Sequence, residues 1–438
     1  MNVLMMTNTY LPHVGGVARS VESFAEALRE MGHAVLIVAP TFPKMPESEE
    51  GVIRVPAVQH FNGSDFSVRL PIPGLLSGEL DRFEPELVHA HHPFLLGDTA
   101  LRVSVGRDLP LVFTHHTMYE RYTQYVPGDS PAMQRFAARL ATEYARLCDH
   151  VIAPSESVAR ILRQRGVETP ISDVPTGIDL QRYASGDGAP ICSRWGIPDD
   201  AFVVGCVSRL APEKNLAYLA GAVARLLRQR RGAHFLVVGD GPSASEIKAV
   251  REERGVTERV HLTGSLLGTE LADAYHAMDV FAFASQTETQ GMVLAEAMSA
   301  GTPVVALDAP GAREVVRDRD NGRLLAGTAD EGEFADALED IAARPADERR
   351  TLSEQARRTA ESFSMPRCAR ALDRIYRRVR DRRRNARAGD RPAVDETPWA
   401  RTRRILENEW RLWSCRAEAA AESIIEEIDG SDADDLAG

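Results

Sequence analysis

Short apolar runs alternate with amphipathic stretches along most of this chain. Residues 2–6 form an apolar run that polar residues 7–9 interrupt, and residues 35–39 form the next run. Between the two runs, apolar side chains recur at the spacing of one helix face. These positions are Val21, Phe24, Ala25 and Leu28. The pattern predicts a strand, a helix and a second strand, which is the unit from which parallel sheets are built.

The same alternation continues in the second half of the chain. Residues 203–208 predict a strand that runs into a polar turn and an amphipathic helix, and residues 281–284 predict a short buried strand. The apolar run from Met292 to Gly301 predicts a helix with a glycine stop. Repeated strand and helix signals of this kind predict an α/β fold.

Two carboxylates lie on either side of this last helix start. Glu288 belongs to the preceding loop and Glu296 to the helix. The first N–H groups of a helix lack carbonyl partners inside it and attract phosphate. A carboxylate just outside such a start can accept hydrogen bonds from sugar hydroxyls, and one inside it can reach a ribose. The alternative is a surface helix with two solvated glutamates.

Two cationic residues follow the strand predicted at residues 203–208. Arg209 and Lys214 stand at its carboxyl end, which is the usual ligand edge of an open α/β sheet. Of the 52 basic residues only Lys44, Lys214 and Lys248 are lysines. A lysine in this turn favours a site that needs a compact point charge, such as a phosphate site. Lys44 and Lys248 have no comparable setting.

A glycine pair opens the first predicted helix. Gly15 and Gly16 come soon after the first strand, but the spaced glycines of a dinucleotide fingerprint are missing. The pair is compatible with close approach of the backbone to a phosphate and also with an ordinary tight turn.

Histidines end two further predicted strands. Residues 87–92 and 111–117 have this pattern, and the second includes His115 and His116. Clustered histidines raise the question of a metal site, yet no cysteine or acidic ligand recurs nearby at metal spacing. Adjacent strand residues point to opposite faces, so neighbouring histidines do not converge on one ion. We therefore expect no metal site here.

Together these motifs resemble the donor half of the retaining glycosyltransferases of family four. The matching segments are residues 208–209 with Lys214, residues 237–242, and residues 288–305. The resemblance extends to about residue 380. It implies the GT-B fold, in which two Rossmann-like domains face each other across a cleft and a C-terminal helix crosses back. It also implies a nucleotide diphosphate sugar as the donor.

The resemblance implies a role for each matching position. Arg209 and Lys214 would bind the diphosphate, Glu288 the sugar hydroxyls and Glu296 the ribose. His116 would orient the donor sugar and the attacking hydroxyl, with His115 as a packed or hydrogen-bonded neighbour. The other implied donor-binding positions are Gly15, Gly16, Gly239, Gln290, Gly291, Met292 and Val293. We take His116, Arg209, Lys214 and Glu288 as the catalytic set and expect no cofactor or metal, because fixed positive charge at the diphosphate suffices.

A finer resemblance concerns the acceptor. Residues 114–127, and Gln290 where most relatives have an aromatic residue, are similar to bacterial glucosyltransferases that glycosylate diacylglycerol. Tyr119, Tyr122 and Tyr125 recur every three residues and would line an acceptor groove or pack a helix. The expected reaction moves glucose from UDP-glucose to a diacylglycerol-type lipid. The alternatives are another hexosyl transfer, such as mannosyl transfer to a soluble or polysaccharide acceptor, a GT-B epimerase or phosphorylase, and a catalytically silent sensor.

The domain organisation follows from these landmarks. Residues 1–176 predict an N-terminal Rossmann-like acceptor domain, and residues 191–365 predict the nucleotide-sugar donor domain. Residues 366–387 predict the crossover helix. Residues 388–438 predict a linker, an extra amphipathic helix and an acidic tail.

Composition is consistent with a cytoplasmic enzyme. A chain of 438 residues is long enough for two cores. Its five cysteines form no paired motif, as expected in a reducing compartment. No apolar run approaches the ~20 residues of a membrane span, and the first run is expected to be a core strand and not a signal peptide. A net charge of −12 argues against nucleic-acid binding.

The charge distribution is nevertheless uneven. Arginines are dense between residues 374 and 391, whereas residues 422–435 are acidic. The basic segment predicts peripheral contact with anionic lipid at the inner face of the cell membrane. The alternative is a solvated helix face that the acidic tail neutralises.

Overall fold

The protein is described by a computed structural model over residues 1–13, 15–43, 45, 49–58, 68–69, 76–121 and 130–389. The extra helix and acidic tail predicted beyond residue 389 therefore lie outside the described residues. Two compact units emerge. Of the described residues, the first contains those up to residue 175 and residues 368–389, and the second contains residues 176–367.

The first unit is built on a parallel sheet in the strand order β3-β2-β1-β6-β7-β8-β9. Its strands are β1 (Asn2–Met6), β2 (Ala34–Pro40), β3 (Val52–Val55), β6 (Leu87–Ala90), β7 (Leu111–Thr114), β8 (His150–Ala153) and β9 (Ile171–Asp173). A small antiparallel pair is formed by β4 (Ala57–Val58) and β5 (Val68–Arg69). The helices between them are α1 (Gly16–Glu30), α2 (Ser77–Phe83), α3 (Leu96–Arg107), α4 (Pro131–Arg146) and α5 (Glu156–Gln164).

Both faces of this sheet are covered, which explains the continuous apolar runs in its strands. Every residue of β6, β7 and β8 is buried. The predicted strand–helix–strand start is confirmed, and the four apolar positions predicted for α1 are all buried. Ala90 pairs with Met6 on one side and with Phe113 on the other, so the residues that follow β1, β6 and β7 reach the same edge.

The second unit is built on a parallel sheet in the order β12-β11-β10-β13-β14-β15. Its strands are β10 (Phe202–Val207), β11 (Ala233–Val238), β12 (Val260–Leu262), β13 (Val280–Phe283), β14 (Val304–Leu307) and β15 (Gly322–Leu325). The helices are α6 (Leu180–Ala184), α7 (Ala189–Trp195), α8 (Leu216–Gln229), α9 (Ala244–Glu253), α10 (Gly268–His276), α11 (Met292–Ala300), α12 (Glu331–Ala342), α13 (Ala346–Glu361) and α14 (Met365–Gly389).

The elements predicted for this half are confirmed at nearly the expected positions. β10 and β13 are neighbours in the sheet, which brings the turn after β10 close to the loop after β13. The helix α11 ends where the left-handed Gly301 follows it, as its glycine stop predicted. Residues 177–190, which lie between the two predicted domains, carry α6 and the start of α7 and group with the second unit.

The chain enters and leaves the second unit side by side. The backbone N–H of Ile178 donates to the carbonyl of Phe363 at 2.8 Å, and the N–H of Met365 donates back to the carbonyl of Ile178 at 3.0 Å. Met365 is also the first residue of α14.

The helix α14 runs on from this point into the first unit. Arg383 pairs there with Asp108 at 2.6 Å, and Arg384 pairs with Glu86 at 2.7 Å. Among the described helices, α14 included, none is both long enough and apolar enough to cross a bilayer.

Candidate active site

Lys214 and Glu288 meet at the carboxyl edge of the second sheet. After β10 the chain makes a short 3-10 turn at Pro212–Lys214 and then enters α8. The neighbouring strand β13 leads into the loop that carries Glu288. There the Lys214 ammonium group contacts the Glu288 carboxylate. The two side chains are 15% and 22% exposed, so the pair is shielded from water without being closed off from it.

Arg209 follows the same strand and pairs with Glu213. The Arg209 side chain is 54% exposed, whereas that of Glu213 is buried. The hydroxyls of Ser285 and Thr287 each donate to the backbone carbonyl of Glu213 at 3.3 Å. These bonds fix the cationic turn against the loop that leads to Glu288.

Gly291 forms the start of α11. Its φ of 68° lies in the left-handed region, which glycine adopts without the steric cost that a side chain brings. No side chain caps this helix start. The first N–H groups, those of Met292 and Val293, therefore have no carbonyl one turn earlier to accept them. This is the local geometry that the predicted phosphate site requires.

Glu296 lies on the buried side of α11. Its side chain is almost fully buried, and one carboxylate oxygen accepts a hydrogen bond from the Tyr275 hydroxyl at 2.7 Å. The surface-helix alternative is therefore wrong for this residue. Contact of Glu296 with a ribose stays a prediction.

Gln290 was expected to contact the donor, but its side chain is committed to the protein backbone. Its Oε1 accepts from the N–H of Thr176 at 2.6 Å, and its Nε2 donates to the carbonyl of Thr176 at 2.7 Å. The residue is buried. Contact of Gln290 with the donor stays a prediction.

Gly239 holds the turn after β11 against the residues that follow β10. Its φ is 137°, and a Cβ atom placed on it would lie 1.8 Å from the carbonyl oxygen of Ser208. Its N–H donates to the carbonyl of Gly264 at 2.9 Å. A residue with a side chain would push this turn away from Ser208, which immediately precedes Arg209.

In the first unit, the predicted glycine pair lies at the start of α1. Gly15 is extended and precedes the helix, whose first residue is Gly16. The carbonyl of Gly15 accepts from the N–H of Arg19 at 3.0 Å. No side chain caps this start, and contact of Gly15 and Gly16 with the donor stays a prediction.

The histidines that follow β6 and β7 lie together at one edge of the first sheet. Nδ1 of His91 lies 2.9 Å from Nε2 of His116, and the two ring planes are inclined by 21°. His115 is fully buried and packs edge-on against Phe113 and Tyr119, as expected for a packed neighbour. Sequence analysis did not anticipate the bond between His91 and His116.

Burial keeps these rings neutral. It lowers the pKa of His89 and of His92 to about 3, and that of His115 to about 4. The pKa values of His91 and His116 are likewise well below the ordinary value, first through burial and then through the neighbouring histidines. These rings are therefore neutral at neutral pH.

The predicted tyrosine groove is only partly within the described residues. Tyr119 packs its ring edge-on against Phe94 and His115, and its hydroxyl is buried. Its surroundings are those of a packing residue. Tyr122 and Tyr125 lie outside the described residues, so an acceptor groove at these positions stays a prediction.

Metal-ligating side chains do not assemble in the part of the chain that the structure describes. Within that part, no group of three or more histidine, cysteine, aspartate or glutamate residues is placed to hold a metal ion.

Two family models match the chain, and relatives match most of its length. Glycosyltransferase Family 4 covers residues 14–182, and Glycosyl transferases group 1 covers residues 201–344. An alpha-monoglucosyldiacylglycerol synthase from Streptococcus pneumoniae is 30% identical over 83% of this chain and 83% of its own length. A GDP-mannose-dependent alpha-mannosyltransferase from Mycobacterium tuberculosis is 32% identical over 87% of this chain and 97% of its own length.

A solved structure shares the fold. HepE from Anabaena, determined in complex with UDP, superposes with a TM-score of 0.66 at 22% identity, covering 86% of this chain and 100% of its own. The architecture expected from the sequence is thus confirmed. With its two Rossmann-like sheets and these relatives, the chain belongs to glycosyltransferase family 4, a family of GT-B hexosyltransferases.

Proposed function

We propose that the protein transfers glucose from UDP-glucose to a hydroxyl of a diacylglycerol-type lipid, with retention at the anomeric carbon. The observation that carries the donor half of this proposal is the contact between Lys214 and Glu288. This contact brings together a cation for the diphosphate and a carboxylate for the sugar hydroxyls.

Donor binding would exchange the partners of this ion pair. The diphosphate would replace the Glu288 carboxylate as the partner of Lys214, leaving Glu288 to accept hydrogen bonds from the sugar. Arg209 and the open N–H groups at the start of α11 add positive potential for the same diphosphate. Fixed charges aimed at the leaving group are usually the largest contribution to catalysis of this kind.

We propose that these charges stabilise the leaving diphosphate without a divalent cation. Activity that persists in excess chelator would support this part of the proposal. Loss of activity on chelation, with recovery on addition of Mg²⁺, would refute it.

The two glutamates do not act as the carboxylate pair of a glycoside hydrolase. Such enzymes need two carboxyl groups that flank the scissile bond. Glu296 is buried inside the second unit and bonded to Tyr275, so it is not placed for attack on an anomeric carbon.

The lipid half of the proposal rests on α14 and on the relatives. The arginines of this helix between residues 370 and 384 divide into two sets. Arg377, Arg380, Arg383 and Arg384 form ion pairs with acidic residues. Arg370, Arg374, Arg378 and Arg382 are exposed, and within the described residues no ion pair involves them. The second set, which forms no ion pairs within the described part of the chain, recurs every four residues, so it forms one stripe along the helix.

This stripe would bind an anionic membrane surface with about 1 kcal/mol for each arginine. Such binding would hold the enzyme at the cytoplasmic face, where a diacylglycerol-type acceptor resides. It would also weaken with added salt, because salt screens exposed charges. The Streptococcus pneumoniae relative, named for synthesis of a glucosyldiacylglycerol, supports the same acceptor class.

Vesicle flotation tests the membrane contact. The variant with all four stripe arginines changed to Gln should lose flotation with phosphatidylglycerol vesicles, and neutral vesicles should bind neither protein. The matched control changes four exposed arginines of the second unit, Arg228, Arg231, Arg350 and Arg358, and removes the same charge. Equal loss in both variants, or equal flotation with neutral vesicles, would refute the role of the stripe.

Mannosyl transfer from GDP-mannose is the second candidate. The mannosyltransferase from Mycobacterium tuberculosis matches this chain over nearly its whole length. A screen of UDP-glucose and GDP-mannose against diacylglycerol in mixed micelles and against soluble acceptors separates the candidates. Transfer from GDP-mannose alone would replace the glucosyl proposal, and efficient transfer to soluble acceptors alone would end the lipid proposal.

A further inference from the structure

The hydrogen bond between His91 and His116 constrains which nitrogen of each ring carries a proton. Both rings are neutral, because burial disfavours their charged forms. A neutral imidazole has one N–H donor and one bare nitrogen acceptor. In the contact between Nδ1 of His91 and Nε2 of His116, one nitrogen must therefore donate and the other must accept.

The far side of the His91 ring decides between the two possibilities. Nε2 of His91 is buried and has no hydrogen-bond partner among the described residues. If His116 were the donor, His91 would carry its proton on this buried nitrogen, and an N–H group would be left unsatisfied. Orphaned donors are rarer than under-satisfied acceptors. The favoured arrangement has Nδ1–H of His91 donating to the bare Nε2 of His116.

His91 is itself held firmly in place. Its backbone N–H donates to the carbonyl of Met6 at 2.9 Å, and its ring lies 4.1 Å from the ring of His89, measured between centroids. The His89 ring is fixed in turn by the Tyr376 hydroxyl at 2.6 Å and the Thr114 hydroxyl at 2.7 Å. The donor nitrogen of His91 therefore has little freedom to leave His116.

We propose that His91 is a positioning residue that fixes His116 in the tautomer protonated on Nδ1. His116 then meets the substrate as a neutral N–H donor and not as a general base. The proposal rests on the proposed function in one respect, namely that His116 contacts the reacting sugar or the attacking hydroxyl.

The tautomer can be read without any substrate. Long-range proton–nitrogen correlation spectra of protein labelled with ¹⁵N-histidine distinguish protonated from bare ring nitrogens, and a His116→Gln variant assigns the signals. We expect protonated Nδ1 and bare Nε2 for His116 in the full-length protein. In His91→Phe, which keeps an aromatic ring but removes the donor, the His116 signals should show a mixture of the two neutral tautomers, because no donor then holds Nε2 bare.

Kinetics supply the second test. His91→Phe should lower kcat by about 10- to 100-fold, the scale seen when a group that orients a histidine ring is lost, with little change in the KM for the donor. His91→Asn should recover most of this loss, because its amide nitrogen can take the place of Nδ1. His234→Phe is the matched control: it breaks a comparable bond between two histidines, from Nδ1 of His234 to Nε2 of His261 at 3.0 Å, that does not involve His116, so kcat should stay near that of the unaltered protein.

Two results would overturn the proposal: a His116 proton on Nε2 in the unaltered protein, or a His91→Phe variant whose kcat is unchanged. An equal loss in His91→Phe and His91→Asn would also overturn it, since a merely structural role predicts that pattern. A failure of the proposed donor or acceptor would appear in the activity screen and leave the spectra unaffected, so the two kinds of failure are distinguishable.

Discussion

Removal of the Lys214 ammonium group tests the predicted diphosphate site most directly. In Lys214→Ala the carboxylate of Glu288 loses its cationic partner, and the leaving diphosphate would lose a point charge. The backbone should not change, because the turn at Pro212–Lys214 is held by hydrogen bonds from Ser285 and Thr287 to the carbonyl of Glu213.

The size of the effect follows from the partial burial of this pair. Two unit charges about 4 Å apart interact by about 4 kcal/mol at the effective dielectric constant of a partly buried site. Loss of one group that stabilises charge in a transition state costs about 2.7–4 kcal/mol in known enzymes. Both figures correspond to a decrease of about 100- to 1,000-fold in kcat. Stability should fall by about 1 kcal/mol or less, because water reaches both Lys214 and Glu288.

The assay is transfer of radiolabelled glucose from UDP-glucose to diacylglycerol in mixed micelles at saturating donor, with thermal unfolding measured in parallel. Lys248→Ala is the matched control, since Lys248 is an exposed lysine of the same unit; its kcat should match that of the unaltered protein. A Lys214→Ala variant that retains most of its kcat at saturating donor would refute the assignment of Lys214 to the leaving group. A large fall in melting temperature would show that the residue acts through stability instead.

Three further predictions concern Glu288, Gln290 and the buried histidines. Glu288→Gln should lower kcat while leaving the affinity for UDP within about threefold, measured by calorimetry, because only the sugar would contact this carboxylate. Gln290→Leu should lower the free energy of unfolding by about 2–4 kcal/mol in denaturant titrations, since it removes both hydrogen bonds between the buried side-chain amide and the backbone of Thr176. The melting temperature should fall between pH 7 and pH 5. His115, with its folded pKa lowered to about 4, contributes about 2 kcal/mol of this loss at pH 5, because the unfolded chain takes up a proton that the folded chain resists.

Each of these predictions has an outcome that contradicts it. Collapse of UDP affinity in Glu288→Gln would exchange the roles of Glu288 and Glu296. The control for Gln290→Leu is Gln286→Leu, which removes a single exposed bond to Gly327. If both changes lowered the free energy of unfolding equally, the bonds to Thr176 would add no stability beyond that of an exposed bond. A His115→Leu variant should show a weaker pH dependence than the unaltered protein, and an unchanged dependence would remove His115 from the explanation.

Local sequence patterns were sufficient for the elements and for the residues at their ends. The strands around Lys214 and Glu288 and the glycine-bounded helix α11 each depend on signals within a few residues of one another. Adjacent parallel strands then bring their carboxyl ends to one edge, which places Lys214 beside Glu288 even though 74 positions separate them.

Hydrogen bonds between residues far apart in the sequence could not be predicted from local patterns. Gln290 bonds to Thr176 across 114 positions, and Tyr376 bonds to His89 across 287. Neither pair has a local pattern, because a buried amide or hydroxyl only needs some partner, and the tertiary fold decides which one. The sequence therefore contains no sign of the bonds between Gln290 and Thr176.

The side-by-side entry and exit of the chain at Ile178 and Met365 make the second unit an insertion within the first. Two recombination junctions, one before Thr176 and one after Met365, would define a single segment that carries Arg209, Lys214 and Glu288 and can be exchanged as a unit. Domain insertions succeed where chain ends lie close together. The Gln290 side chain bonds to the backbone of Thr176, so the two residues should be transferred together. The upstream junction therefore belongs before residue 176 and not in residues 177–190. Recombination between family members at these two points would thus exchange the predicted donor site while leaving the sheet that carries His116 intact.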